Sequence, residues 1–130
     1  MSSKVQPLVH AEISVIPILG SGAAVVESDP KSDTGMSKQI AIAFDAIRRV
    51  KDVNAILTPM GTQIETGRFE NILKAIEAAH QSLRTTSGIK RIVSTIRIDE
   101  RLDKSATLED KVKSVKEKIV AQNEKKVKEI

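Results

Sequence analysis

Asn54-Ala55-Ile56-Leu57-Thr58-Pro59-Met60-Gly61-Thr62-Gln63-Ile64-Glu65-Thr66-Gly67 reads as two short strand-like runs folded about a turn. Proline cannot donate to a sheet ladder and glycine accepts unusual backbone angles. Pro59 to Gly61 is therefore expected to break or bulge a hairpin rather than continue a central strand. Thr58 and Thr62 place a hydroxyl on either side of that kink. An ordinary hairpin turn accounts for this much, and the flanking segments decide what the hairpin belongs to.

Immediately upstream, Ile40, Ala43, Phe44, Ile47 and Val50 recur at helical spacing. They predict a helix from Met36 or Ser37, with Ser37 as N-cap, to about Lys51. Downstream, a second helix from about Arg68 to Arg84 carries Phe69, Ile72, Leu73, Ile76, Ala79 and Leu83 on one face, and Ser87-Gly88 ends it. His80 neighbours that face and reads as a packed or solvent-edge residue rather than a catalyst.

Further out lie two more strands. Over Leu8 to Ile18, Val9, Ala11, Ile13 and Val15 alternate with His10, Glu12, Ser14 and Ile16, and Pro17 suits a strand end or an edge. Over Ile89 to Asp99, Ile92, Ser94, Ile96 and Ile98 alternate with Arg91, Val93, Thr95, Arg97 and Asp99. Set side by side, these strands offer one sheet face bearing hydroxyls, a carboxylate, an imidazole and guanidiniums. Antiparallel sheets commonly leave such a face wet.

Strand, helix, strand, strand, helix, strand is the order of an α+β, ferredoxin-like βαββαβ sandwich whose helices cover one sheet face. A third helix follows from Thr107 as N-cap, with Leu108, Val112, Val115 and Ile119 spaced by four, three and four. That narrow stripe suits docking on a partner helix or across the sheet. Past Gln122 charges dominate, and the last turns are expected to fray. The expected organisation is one ferredoxin-like domain over residues 1–130, with a loop insertion at 21–32 and the added helix at 107–130. Gly20 to Gly35 is rich in turn formers, and a loop of that length reads equally as a flexible insertion or a lid.

At 130 residues folding buries roughly two thirds of the unfolded surface, enough for a core without staples. The absence of cysteine removes disulfides, thiolate metal sites and a cysteine nucleophile. No apolar run approaches the roughly 20 residues of a membrane span, and no signal peptide is read, so a cytoplasmic location is expected. The net charge of +4 resides mostly in residues 101–130, where nine Lys or Arg face six Asp or Glu. Lysines on a solvated helix explain this better than a phosphate-binding surface. RNA-recognition domains share this strand order, but they stack bases on sheet aromatics. The aromatics here are Phe44 and Phe69, both on helices.

Enzyme signatures are absent: there is no Gly-rich phosphate loop, no paired metal-binding histidines and no nucleophile elbow. Glu12 near His10 lacks a third orienting group, and Asp99, Glu100 and Asp103 lack a calcium-loop spacing. Binding without catalysis, with no cofactor and no metal, is the expectation.

Ile13-Ser14-Val15-Ile16-Pro17-Ile18, the run Thr58-Pro59-Met60-Gly61-Thr62 with Ile64-Glu65, and Arg97-Ile98-Asp99-Glu100-Arg101-Leu102-Asp103-Lys104 resemble the thiamine-binding-protein family of small ferredoxin-like domains. Ser37-Lys38 and the stretch from Leu108 to Val115 match its helix starts, and the likeness spans most of residues 8–119. It departs from the family at residues 21–32 and in a longer tail past Ile119. The resemblance implies a homo-oligomer, a dimer of dimers, that binds thiamine or its hydroxymethylpyrimidine moiety. A flat pyrimidine wants an apolar pocket with a few fixed polar groups. In that reading Met60 and Ile16 sandwich the ring beside Gly61, and Ser14, Thr58, Thr62 and Thr95 supply hydroxyls. Glu12 or Glu65 accepts from the exocyclic amine or offsets a thiazolium charge, and Arg97 adds a guanidinium. The alternative is a regulatory module of this fold that binds an amino acid or other small ligand at a dimer interface.

Overall fold

Pro59 and Met60 form a two-residue turn between strands β2 (Val53–Thr58) and β3 (Gly61–Thr66). Their antiparallel register runs unbroken from Val53 opposite Thr66 to Thr58 opposite Gly61, so the kink is a tight turn without a bulge. Neither turn residue has positive φ, because proline presets the negative φ of a turn's second position. The Thr58 hydroxyl donates to the Gly61 carbonyl at 2.7 Å and ties the two strand ends together.

A computed structural model describes residues 8–20 and 36–128, with side chains up to Lys125. The insertion expected at 21–32 lies outside the described residues, as do residues 129 and 130. Around the hairpin stand β1 (Val9–Leu19), α1 (Ser37–Arg48), α2 (Phe69–Arg84), β4 (Ile89–Glu100) and α3 (Leu108–Lys128). The sheet order is β2-β3-β1-β4, every pair antiparallel. This is the ferredoxin-like α+β arrangement with an added C-terminal helix.

Strand alternation sends Val9, Ala11, Ile13 and Ile64 to one sheet face, where they meet Ala43 and Ile47 of α1 and Ile72, Ala75, Ala79 and Leu83 of α2. Five of these large side chains, Ile13, Ile47, Ile64, Ile72 and Leu83, are fully buried, each contributing about 1.5–3 kcal/mol. Beside this core the buried Asn71 amide donates to Thr66 Oγ1 at 2.9 Å, fastening the start of α2 to the end of β3. His80 is a packed residue whose Nε2 lies 2.9 Å from Ser94 Oγ.

Several local expectations change. Ser37 is the first residue of α1 rather than its cap, and Met36 holds the cap position without a side-chain hydrogen bond. The helix stops at Arg48, short of Lys51, because the chain turns through Asp52 at a φ of 62° to enter β2. Aspartate tolerates that left-handed region better than most residues. Phe69 and Leu73, assigned to the buried stripe of α2, are exposed, since the stripe centres on Ile72, Ala75, Ala79 and Leu83 and they flank it. Helix α3 continues through Lys128 instead of fraying after Gln122; alanine, glutamate and lysine all favour helix, and neither glycine nor proline interrupts it. Its expected cap does form: Asp110 N–H donates to Thr107 Oγ1 at 2.9 Å while Thr107 N–H donates to Asp110 Oδ2 at 3.0 Å.

Candidate functional site

The hairpin turn lies against the middle of β1 and the start of α1, leaving a cavity of about 230 Å³. Its polar lining comes from Ser14, Thr58 and Thr62, and its apolar walls from Ile16, Met36, Ile40, Pro59 and Met60. Gly61 lies close against β1. A Cβ there would meet the Ile13 carbonyl oxygen at 3.0 Å, so any larger residue would press the two backbones apart by a few tenths of an ångström. Thr58 Oγ1 uses its proton on Gly61, which leaves its lone pairs to accept from a ligand. Among the described residues no charged side chain lines this cavity.

Six of the ten residues singled out from the sequence therefore come together here: Ser14, Ile16, Thr58, Met60, Gly61 and Thr62. Glu12, Glu65, Thr95 and Arg97 do not join them. They lie along the open face of the sheet, which Ser14 shares, for Glu12 pairs in register with both Gln63 and Arg97, and Ser14 with Thr95. The other six lining residues, Ile13, Val15, Met36, Ile40, Ala43 and Pro59, are not among the expected ligand contacts. Local pattern marks Pro59 only as a turn, Ile40 only as core and Met36 only as a helix start, and the 39% exposure of Ile40 reflects its place on the cavity wall.

The open face carries a second group of polar residues, and α3 begins over it. Glu65 holds that helix: its Oε2 accepts from the Leu108 N–H at 2.8 Å, and its Oε1 from the Asn54 amide at 2.8 Å. A carboxylate at the positive end of a helix is favourable. One turn on, Lys111 Nζ lies 2.6 Å from Asp99 Oδ2, and this ammonium holds the Asp99 carboxyl below its ordinary pKa. Gln63 Nε2 donates to Glu12 Oε2 at 3.3 Å, with Arg97 at 3.9 Å on the other oxygen.

Among these groups His10 is unusual. It is 5% exposed, and its Nε2 is the one fully buried side-chain nitrogen or oxygen among the described residues without a hydrogen-bond partner. Glu65 Oε2, already engaged by Leu108, is 3.9 Å away. Burial lowers the His10 pKa and Lys111 adds to that, against opposing contributions from Glu65, the Ala106 backbone and Asp99. An unpaired buried polar atom costs on the order of 1–3 kcal/mol. Among the described residues no cluster of three or more His, Cys, Asp or Glu side chains is arranged to hold a metal ion, and no helix is long and apolar enough to cross a membrane.

A four-stranded ferredoxin-like sheet, a Thr-Pro-Met-Gly-Thr turn and a hydroxyl-lined cavity beneath it define a small α+β domain built around a hairpin pocket. The chain belongs to the thiamine-binding protein family, which matches residues 11–116. A UPF0045 protein of Methanothermobacter thermautotrophicus is 34% identical over 112 residues, which cover 86% of this chain and 100% of the relative. The crystal structure of a hypothetical protein from Methanocaldococcus jannaschii is 36% identical, with a TM-score of 0.62 over 86% of this chain and 99% of that one. A candidate thiamine biosynthesis/salvage protein of Thermotoga maritima is similar at 23% identity, a TM-score of 0.59 and coverage of 84% and 99%, a likeness of fold alone.

Proposed function

We propose that this protein is a non-catalytic binding protein for thiamine or its hydroxymethylpyrimidine moiety, with the pyrimidine seated under the hairpin turn. The observation that carries this reading is the composition of the cavity in a chain of the thiamine-binding protein family: three hydroxyl-bearing residues, apolar walls and, among the described residues, no charged side chain. Its roughly 230 Å³ is below the ~300–1,000 Å³ of pockets for drug-sized ligands and suits a single ring. Met60 and Ile16 cover the ring, Thr58 accepts from the exocyclic amine, and Ser14 and Thr62 meet the ring nitrogens.

Assembly belongs to the same reading. Ile18, Ile56 and Val93 are exposed on the sheet, and Val115 and Ile119 on α3, more apolar surface than a monomer ordinarily leaves in water. A homo-oligomer, a dimer of dimers, covers it. Calorimetry with thiamine and with hydroxymethylpyrimidine tests the ligand. Met60→Ala is expected to weaken binding by about 1–3 kcal/mol, tenfold or more, with the fold intact. Equal affinity of the folded Met60→Ala protein, or no binding of either compound by the parent at millimolar concentration, refutes the assignment.

A further inference from the structure

A second cavity, of about 640 Å³, lies on the open sheet face under the first turns of α3, away from the hairpin pocket. His10 lines it, with Glu12, Gln63, Arg97, Asp99 and Lys111 around it and Ile98, Leu108 and Val112 as an apolar wall. We propose that this cavity is a binding site for a small organic cation bearing N–H donors, an amidinium or primary ammonium with a compact apolar body, and that His10 Nε2 is its buried acceptor.

Three observations carry the proposal. The neighbouring polar groups are already matched to one another: Glu12 to Gln63 and Arg97, Asp99 to Lys111, and Glu65 to Asn54 and the Leu108 amide. His10 Nε2 alone is buried and unpartnered, so the site lacks one hydrogen-bonding group at one place. Burial and the Lys111 ammonium disfavour the charged imidazole; the ring N–H given to the Ala106 backbone belongs to Nδ1, since Nε2 has no partner, and in the neutral ring Nε2 then accepts rather than donates. The lining carries the carboxylates Glu12, Asp99 and Glu100 against Arg97 and Lys111, and Glu65 stands 3.9 Å from His10. A cation that donates is favoured there over an anion, and a charge-assisted hydrogen bond is the stronger kind.

The site is independent of the thiamine pocket, and the test keeps the two apart. Benzamidine, a flat amidinium on an apolar ring, is titrated into the full chain while the ring ¹⁵N and ¹H resonances of the two histidines are followed by NMR. Benzamide serves as the neutral analogue and benzoate as the anion. We expect benzamidine to shift the His10 ring saturably at millimolar concentration and to leave His80 unmoved. Benzamide should bind about tenfold more weakly, and benzoate should give no shift. His10→Phe keeps a flat ring of somewhat larger size but no nitrogen, and should abolish the response seen by calorimetry. If that variant does not fold, Glu12→Gln should still weaken benzamidine several-fold. Saturating thiamine should leave the benzamidine response at His10 in place. The proposal is overturned if the His10 ring does not respond, if benzoate or benzamide binds as well as benzamidine, if folded His10→Phe binds unchanged, if Glu12→Gln binds unchanged, or if thiamine competes for the site.

Discussion

Glu65 and Leu108 stand 43 residues apart, and the Glu65 carboxylate accepts the first free amide of α3 at 2.8 Å. One side chain from the hairpin thus sets where the C-terminal helix starts. Beyond its first turns α3 leaves the body of the protein, with Val115 57% and Ile119 50% exposed.

Glu65→Ala is expected to loosen that start. It removes an acceptor for two donors and a negative charge at the helix amino end, a loss of about 1 kcal/mol, with an upper bound of about 2. Amide hydrogen exchange at Leu108 to Lys111 should accelerate while exchange in the β1–β3 ladder stays slow. Unchanged protection at Leu108 would show that the contact does not hold the helix.

Gly61→Ala should strain the approach of the hairpin to β1, because the added methyl meets the Ile13 carbonyl at 3.0 Å. The expected destabilisation is about 1–3 kcal/mol, read from the urea midpoint. Gly67→Ala is the control: nothing lies within 4 Å of a Cβ at that position.

Thr66→Val leaves the buried Asn71 amide without its partner at 2.9 Å, at a cost of about 1–3 kcal/mol. Thr66→Val with Asn71→Leu should cost less than the sum of the two single changes. A strictly additive double-mutant cycle would mean that the pair is not coupled.

Acid should weaken the fold through His10. Its folded pKa lies below the ordinary 6.5, with burial the largest cause, so the unfolded chain binds the proton more readily. The stability due to neutral His10 is fully present above the unfolded value and is lost as pH falls through that value towards the folded one. The groups facing the ring are Glu12 and Glu65 on β1 and β3, Asp99 on β4 and Lys111 on α3. Thermal melting from about pH 7.5 to about pH 5 should show a larger fall for the parent than for His10→Phe, and parallel curves would refute the assignment.

Element order, the two faces of β1 and β4, and the Thr107 cap were legible in the sequence because each follows from contacts within a few residues. Period-two alternation separates Val9, Ala11 and Ile13 from His10, Glu12 and Ser14 wherever the strand packs, and a capping box is closed by residues three apart. The same alternation places Thr62 and Glu65, three apart on β3, on opposite faces of the sheet. Only the tertiary structure decided which candidates share a cavity. Met36 and Ile40 reach the hairpin through the packing of α1, and His10 loses its water because α3, about a hundred residues later in the chain, begins above it. Such closure depends on how separate elements meet in space, a relation that no local pattern of residues encodes.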